Sequence, residues 1–297
     1  MPLAYSATNY HSENAAAFAA AVTEATGGSL TIVTHPNGSL YKGGEIFRAV
    51  RTGQVPIGER LISALGNEDP LFELDTLPFL ATGFEDAKKL HEAAKPEMQK
   101  LLASKGVMML YAVPWPPQGI YNKSPISSAS DMKNVKFRAY NPVTVRMAEL
   151  MGAVPINIEV AELPQAFATG QAESMVSSSS TGYDTKIWKY VDYWYDVQAW
   201  LPKNMVVVNL DAWNNLDEAT QNIVLNAAAE AEANGWAKAQ SLAQWYAEQL
   251  AANGMTVQPA GDQLIADFRK IGETMTMEWL ERAGASGEAL INTYKSM

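Results

Sequence analysis

An α/β fold is what this sequence predicts, and three observations carry the prediction. Helical and strand-like patterns alternate from the first segments onward. The helical pieces are mostly about a dozen residues long and the β-branched runs between them are short, which is the layout of strand–helix–strand units and implies a largely parallel sheet. One run, 217–254, is helical in pattern yet far longer than an ordinary globular helix, so it either crosses a domain boundary or bends at Gly235. With 297 residues the chain is long enough for two domains.

In chain order, "NAAAFAAAVTEATGG" (14–28) places Phe18 and Val22 one turn apart and stops at a glycine pair, a normal helix end. "SLTIVTH" (29–35) reads as a β-branched strand. "YKGGEIFRAVRTGQ" (41–54) is a second helix, and "VPIGERLISAL" (55–65) a strand running into a loop. Residues 84–106 are helical and "VMMLYAV" (107–113) is the strand after them. The loop "PWPPQG" (114–119) then interrupts, because its prolines fit neither a helix interior nor a central strand. A strand at 134–140, a helix from about 142 to 151, a strand at 154–159 and a helix at 162–171 follow. After the long helix come the short strand "MTVQP" (255–259) and a pair of C-terminal helices.

Composition removes several classes of function. A net charge of -10 argues against a nucleic-acid partner, since phosphate binding needs clustered Lys and Arg, and the basic residues here are scattered. No stretch reaches the roughly 20 apolar residues that span a bilayer, so no membrane insertion is expected. Cysteine is absent, which excludes disulfides and thiolate chemistry. The three histidines, His11, His35 and His91, have no ligand spacing, so neither a metal nor a cofactor is expected. No glycine-rich phosphate loop or nucleophile elbow occurs, and Ser130–Lys133 has the S-x-x-K spacing without its companion motifs. The opening "MPLAYSATNY" lacks a basic and then apolar leader, which fits either a cytoplasmic protein or one whose signal peptide has been removed.

What remains is a small set of binding candidates. In "NVKFRAYNP" (134–142), Val135, Phe137 and Ala139 alternate with Lys136, Arg138 and Tyr140, the period of a half-buried strand. Arg138 near the end of that strand is either a surface charge on an edge or a fixed anion clamp. The run Ser177–Ser180 is either a solvated loop or a set of hydroxyl donors at a strand end, where open α/β sheets bind ligands. Trp115 in the proline-held loop suits an apolar ligand wall or plain packing. The aromatics Trp188, Tyr190, Tyr193, Trp194 and Tyr195, with Trp213, read as core. Arg51 and Arg146 read as solvated charges.

From "DMKNVKFRAYN" outward the chain resembles the DctP-type solute-binding proteins of tripartite ATP-independent periplasmic (TRAP) transporters. The pieces "TGGSLTIVTHPNGSLYKGGEIFRAVRTGQVPIGE", "LPFL", "SDMKNVKFRAYN", "ELMGAVPINIEVAELPQAFATG" and "NLDAWNNL" follow one another in the family's order. The resemblance implies a two-domain clamshell of the periplasmic-binding-protein type, with mixed sheets flanked by helices and a long helix spanning both domains. Domain I is expected at 1–120 plus 208–251 and domain II at 121–207 plus 252–297, with the ligand cleft between them. It also implies an organic-acid ligand gripped by Arg138, membrane subunits of a transporter as partners, a periplasmic location and no catalysis. A planar guanidinium fork matches a carboxylate with two parallel hydrogen bonds.

Asn141 matches a ligand-binding asparagine of the sialic-acid-binding members. Two departures narrow the ligand. Ser177 stands where members often carry an asparagine, and Gln118 with Ile120 stands where sugar-acid binders carry a second arginine. A buried second carboxylate would then lack a cation. Together with the ring surface of Trp115, Tyr121 and Tyr140, this points to a monocarboxylate with an apolar or aromatic body, such as an aryl 2-oxo or 2-hydroxy acid. Glu68, Tyr10 and Tyr183 complete the candidate ligand-binding set. A C4-dicarboxylate or sugar acid is the alternative ligand. The rival of another class is a lyase or hydrolase with Arg138 as substrate anchor and His11 or Glu68 as base. A chemosensory binding subunit is the third reading.

Overall fold

The computed structural model describes all 297 residues. Helix α1 (Tyr10–Ala25) starts where the Asn9 side chain accepts the His11 N–H, an ordinary N-cap. Helix α2 (Gly43–Arg51) leads into strand β1 (Ile57–Leu61), followed by 3-10 turns at Ile62–Leu65 and Pro70–Thr76. Helix α3 (Phe84–Ser104) precedes β2 (Val107–Pro114), and β3 (Gln118–Asn122) follows the proline loop. Then come β4 (Lys136–Ala139), α4 (Pro142–Leu150), β5 (Val154–Asn157), α5 (Leu163–Ala168), β6 (Ser174–Ser178) and α6 (Ser179–Asp184). The chain continues through β7 (Tyr193–Asp196), β8 (Lys203–Asn209), α7 (Leu210–Asn214), α8 (Glu218–Ala252), β9 (Thr256–Pro259) and α9 (Asp262–Lys295). The last is the expected pair of helices, run together across Gly284 (φ 59°, ψ -151°).

The chain divides into two compact units. The first holds Met1–Leu61, Pro96–Pro114 and Lys203–Ser241, and the second holds Ile62–Lys95, Trp115–Pro202 and Leu242–Met297. Both α3 and α8 begin in one unit and end in the other. The expected domain ranges cross near 120, 207 and 252 and keep 62–95 in domain I. In the structure 62–95 groups with the second unit because Leu74, Leu77 and Leu90 pack on Trp279, Leu290 and Ile291 of α9. Those are partners too distant in sequence for any local pattern to reveal.

The first unit carries a three-stranded sheet in the order β1-β8-β2, antiparallel throughout. The second carries six strands in the order β5-β4-β6-β3-β7-β9. There β4 is parallel to both β5 and β6, β3 is antiparallel to β6 and β7, and β7 is parallel to β9. The expectation of a largely parallel sheet therefore gives way to one antiparallel and one mixed sheet. Hydrophobic periodicity reports which face of a strand is buried and carries no strand direction. The expected strand at 29–35 is reduced to a single bridge between Pro2 and His35, and Pro2 has no N–H to extend it. Helix α8 is one continuous helix. Gly235 serves close packing in the first unit, since a Cβ there would lie 2.4 Å from a Val113 methyl.

The two faces of the six-stranded sheet bury different cores. Ile120, Phe137 and Val176 face Met147 of α4 and Phe268 and Met275 of α9. Tyr121, Met175 and Trp194 face Leu163 and Phe167 of α5 and Leu250 of α8. Alternation along β4 and β6 consequently puts Arg138 and Ser177 on the second of these faces.

Candidate functional site

Strand β4 lies between β5 and β6, and Arg138 is only 4% exposed. That disposes of the edge-strand surface charge. Its Nε donates to the Ile158 carbonyl at 2.9 Å, which fixes the plane of the guanidinium, and its Cζ lies 5.0 Å from the centre of the Tyr140 ring. Among the buried residues of the second unit, Arg138 is the only Lys or Arg. The buried acids Glu73 and Asp75 belong to the same unit, and Glu73 accepts from the fork of Arg282.

Tyr140 is held from both sides. Trp200 Nε1 donates to its hydroxyl at 3.1 Å, and the hydroxyl donates to Gln118 Oε1 at 3.2 Å. Gln118 Nε2 in turn donates to the Pro116 carbonyl at 3.0 Å. The ring that lies against Arg138 is thus pinned by two residues from separate segments, Trp200 and Gln118. Asn141 caps α4, its Oδ1 accepting the Thr144 N–H at 2.8 Å while its Nδ2 donates to Ser63 Oγ at 2.9 Å. One oxygen and one N–H of that amide are thus engaged in holding the strand-to-helix turn. Ser177 is buried on β6 directly opposite Gly119 of β3. The whole run Ser177–Ser180 is buried, with Ser178 capping α6, so the solvated-loop reading does not hold.

The structure thus brings Arg138, Tyr140, Asn141, Gln118 and Ser177 to one end of the six-stranded sheet. Trp115 is buried nearby in sequence, its N–H donating to the Pro202 carbonyl. Three candidates lie elsewhere. Glu68 is exposed and lines an open pocket with Arg146, Glu278 and Arg282. Tyr10 belongs to the first unit, where its hydroxyl donates to the Pro114 carbonyl. Tyr183 packs with Trp188, Trp245 and Tyr246. Arg146, read as a solvated charge, is fork-paired with Glu278 at 2.7 and 3.0 Å. Sequence reading missed Ser63 and Trp200, which act on the site through hydrogen bonds across 78 and 60 residues. Nothing in their own neighbourhoods signals this.

His11, a candidate base, belongs to the first unit. Burial pushes His11 well below its usual range, so its ring is neutral. Burial likewise pushes the Tyr121 phenol well up, and its hydroxyl donates to the Ser178 carbonyl at 2.9 Å. What the cluster offers is a buried fixed cation, amide and hydroxyl groups and aromatic surface, which is equipment for holding a small anion.

Comparison with known proteins agrees with that chemistry. Residues 4–282 match the model of DctP, the bacterial extracellular solute-binding protein family 7. The structure superposes with a TM-score of 0.98 on DctP6 of Bordetella pertussis, an extracytoplasmic solute receptor binding pyroglutamic acid, at 49% identity over 100% of this chain and 98% of that one. It superposes at 0.99 on a marine-metagenome TRAP solute-binding protein specific for pyroglutamate, at 48% identity over 100% and 98% of the two chains. A further relative, the ectoine/5-hydroxyectoine-binding periplasmic protein UehA of Ruegeria pomeroyi, is 24% identical over 88% of this chain and 79% of its own. No helix of the structure is long and apolar enough to cross a membrane. The chain belongs to the DctP family of extracellular solute-binding proteins, the non-enzymatic receptors of TRAP transporters.

Proposed function

We propose that this protein captures a compact cyclic monocarboxylate, pyroglutamate or a close analogue, in the periplasm and hands it to the membrane subunits of a TRAP transporter. The observation that carries the reading is the single buried cation of the second unit, Arg138, set beside small Ser177 and Gly119. One guanidinium neutralises one carboxylate. A second carboxylate enclosed with it would meet the neutral amide of Gln118, and burying an unpaired charge is expensive. The monocarboxylate expectation is therefore kept, as is Arg138 as its anchor. The aryl body is replaced by a five-membered lactam, because receptors of pyroglutamate are near half identical to this chain over its whole length. A lactam also presents one N–H and one carbonyl, which suit the amides and hydroxyls of Gln118, Asn141 and Ser177.

The test is a thermal-shift series with pyroglutamate, phenylpyruvate, succinate and glucuronate on wild type and Arg138→Ala. A ligand at about 100 times its dissociation constant adds about 2.7 kcal/mol, a shift of a few degrees at this size. Stabilisation by pyroglutamate alone, absent in Arg138→Ala, is the expected result. Equal stabilisation by succinate would sink the monocarboxylate reading, and a larger shift with phenylpyruvate would restore the aryl acid.

A further inference from the structure

Trp200 stands in the short connection between β7 and β8, is 1% exposed, and is held at backbone and side chain alike. Its carbonyl accepts the Gln118 N–H at 3.0 Å, and the neighbouring Ala199 N–H donates to the Gln118 carbonyl at 3.2 Å. The Ala199 carbonyl in turn accepts the Phe79 N–H at 2.8 Å. Gln198 and Phe79 both sit in the left-handed backbone region, with φ of 52° and 61°. For a bulky residue such as Phe79 that conformation costs free energy and persists only where the surroundings enforce it. Strain is thus stored on both sides of the segment that presents one indole.

That indole closes a ring of hydrogen bonds within the second unit. Gln118 N–H donates to the Trp200 carbonyl, Trp200 Nε1–H to the Tyr140 hydroxyl at 3.1 Å, and that hydroxyl to Gln118 Oε1 at 3.2 Å. An indole N–H is a donor only, so the Tyr140 oxygen accepts there and its own proton turns to Gln118. The Pro116 carbonyl is an acceptor only, so it takes Gln118 Nε2 and leaves Oε1 for that proton. Each polar group dictates the orientation of the next. The half-buried Tyr140 ring is fixed at its hydroxyl end, and its centre lies 5.0 Å from Arg138 Cζ. Because the Ile158 carbonyl holds Arg138 Nε at 2.9 Å, the guanidinium is gripped on its edge by one partner and on its face by another.

We infer that Trp200 is a positioning residue of the Arg138 site: acting through the Tyr140 hydroxyl, it holds the ring that keeps the guanidinium plane fixed for a carboxylate. The inference rests on the monocarboxylate reading above and deepens it, since a fork set in advance binds the acid without first ordering a flexible side chain. No contact between Trp200 and the ligand is required.

The test is calorimetry with pyroglutamate on wild type, Trp200→Phe, Tyr140→Phe, the double variant and Arg138→Ala, each checked for folding by circular dichroism. Both single variants of the relay are expected to bind about tenfold more weakly, and the double variant no more weakly than Tyr140→Phe. Losses that multiply to about a hundredfold would show Trp200 acting by another route and overturn the inference, as would wild-type affinity in either single variant. Binding by Arg138→Ala as tight as wild type, or none by wild type, would instead overturn the reading of the site, and the inference falls with it. Because removing a buried indole can disturb folding, ligand-free protein labelled with ¹⁵N-arginine gives a second readout that needs neither Trp200→Phe nor a ligand. The Arg138 Nε–H resonance, assigned by its loss in Arg138→Ala, should be displaced by the Tyr140 ring current in wild type. It should move toward the ordinary arginine position in Tyr140→Phe, which keeps the ring and loses only its anchor. An unmoved resonance overturns the inference and leaves the reading of the site intact.

Discussion

At the scale of single residues the site is a fixed cation whose surroundings are held by hydrogen bonds. Arg138→Lys keeps the charge and loses the fork, and an ammonium cannot hold the Ile158 carbonyl and a carboxylate in one plane. Affinity for the acid should fall at least about tenfold by calorimetry, the equivalent of about 1.4 kcal/mol. A lysine variant that binds like wild type would reduce Arg138 to a charge of no particular geometry. Tyr140→Phe strips one oxygen and leaves Trp200 Nε1 and Gln118 Oε1 without the partner they share. Leaving such groups unmet costs about 1–3 kcal/mol of stability, readable as a lowered urea midpoint at unchanged slope. Arg138 was legible in the sequence because alternation along 134–140 marks which residues share a face. The contacts of Trp200 and Ser63 were not, since each depends on a neighbour brought close only by tertiary structure.

Among elements, the antiparallel sheet of the first unit holds a second buried acid–polar cluster. Glu59 on β1 and Tyr111 on β2 flank Val206 of β8 in one row, with the buried Asn204 of β8 on the same face. Burial raises the Glu59 carboxyl from 4.5 to about 8, so it is protonated at neutral pH. Because the folded pKa lies above the unfolded one, the folded state holds the extra proton between those values. Its contribution to stability is complete below pH 4.5 and is lost as pH rises through about 8. Wild type should therefore lose more stability than Glu59→Gln between pH 5 and pH 8.5, measured as the melting temperature of each. Parallel curves for the two proteins would show that Glu59 titrates normally. The elements themselves were largely readable: α2, β1, α3, β2, β4, α4 and α8 all stand where periodicity puts them, within a few residues. Strand direction and the fate of 29–35 were not, because pairing is a property of two segments and the pattern belongs to one.

At the scale of the whole molecule, the two-unit α/β organisation followed from chain length, alternating patterns and the over-long helix that became α8. The crossing points were harder to read, because helices α3 and α8 contribute to both units and the 62–95 segment is claimed by an apolar face of α9. The charge pattern was informative in a negative way. In the proposed reading, the one Lys or Arg that this chain of net charge -10 buries in its larger unit anchors one anionic group. The measurement that tests this most directly is calorimetric titration of unfolded and refolded, ligand-free protein with pyroglutamate, in wild type and Arg138→Ala side by side. The account predicts one saturable site in wild type and no measurable binding in the variant, with both proteins folded by circular dichroism. Binding of equal strength in the variant would contradict it.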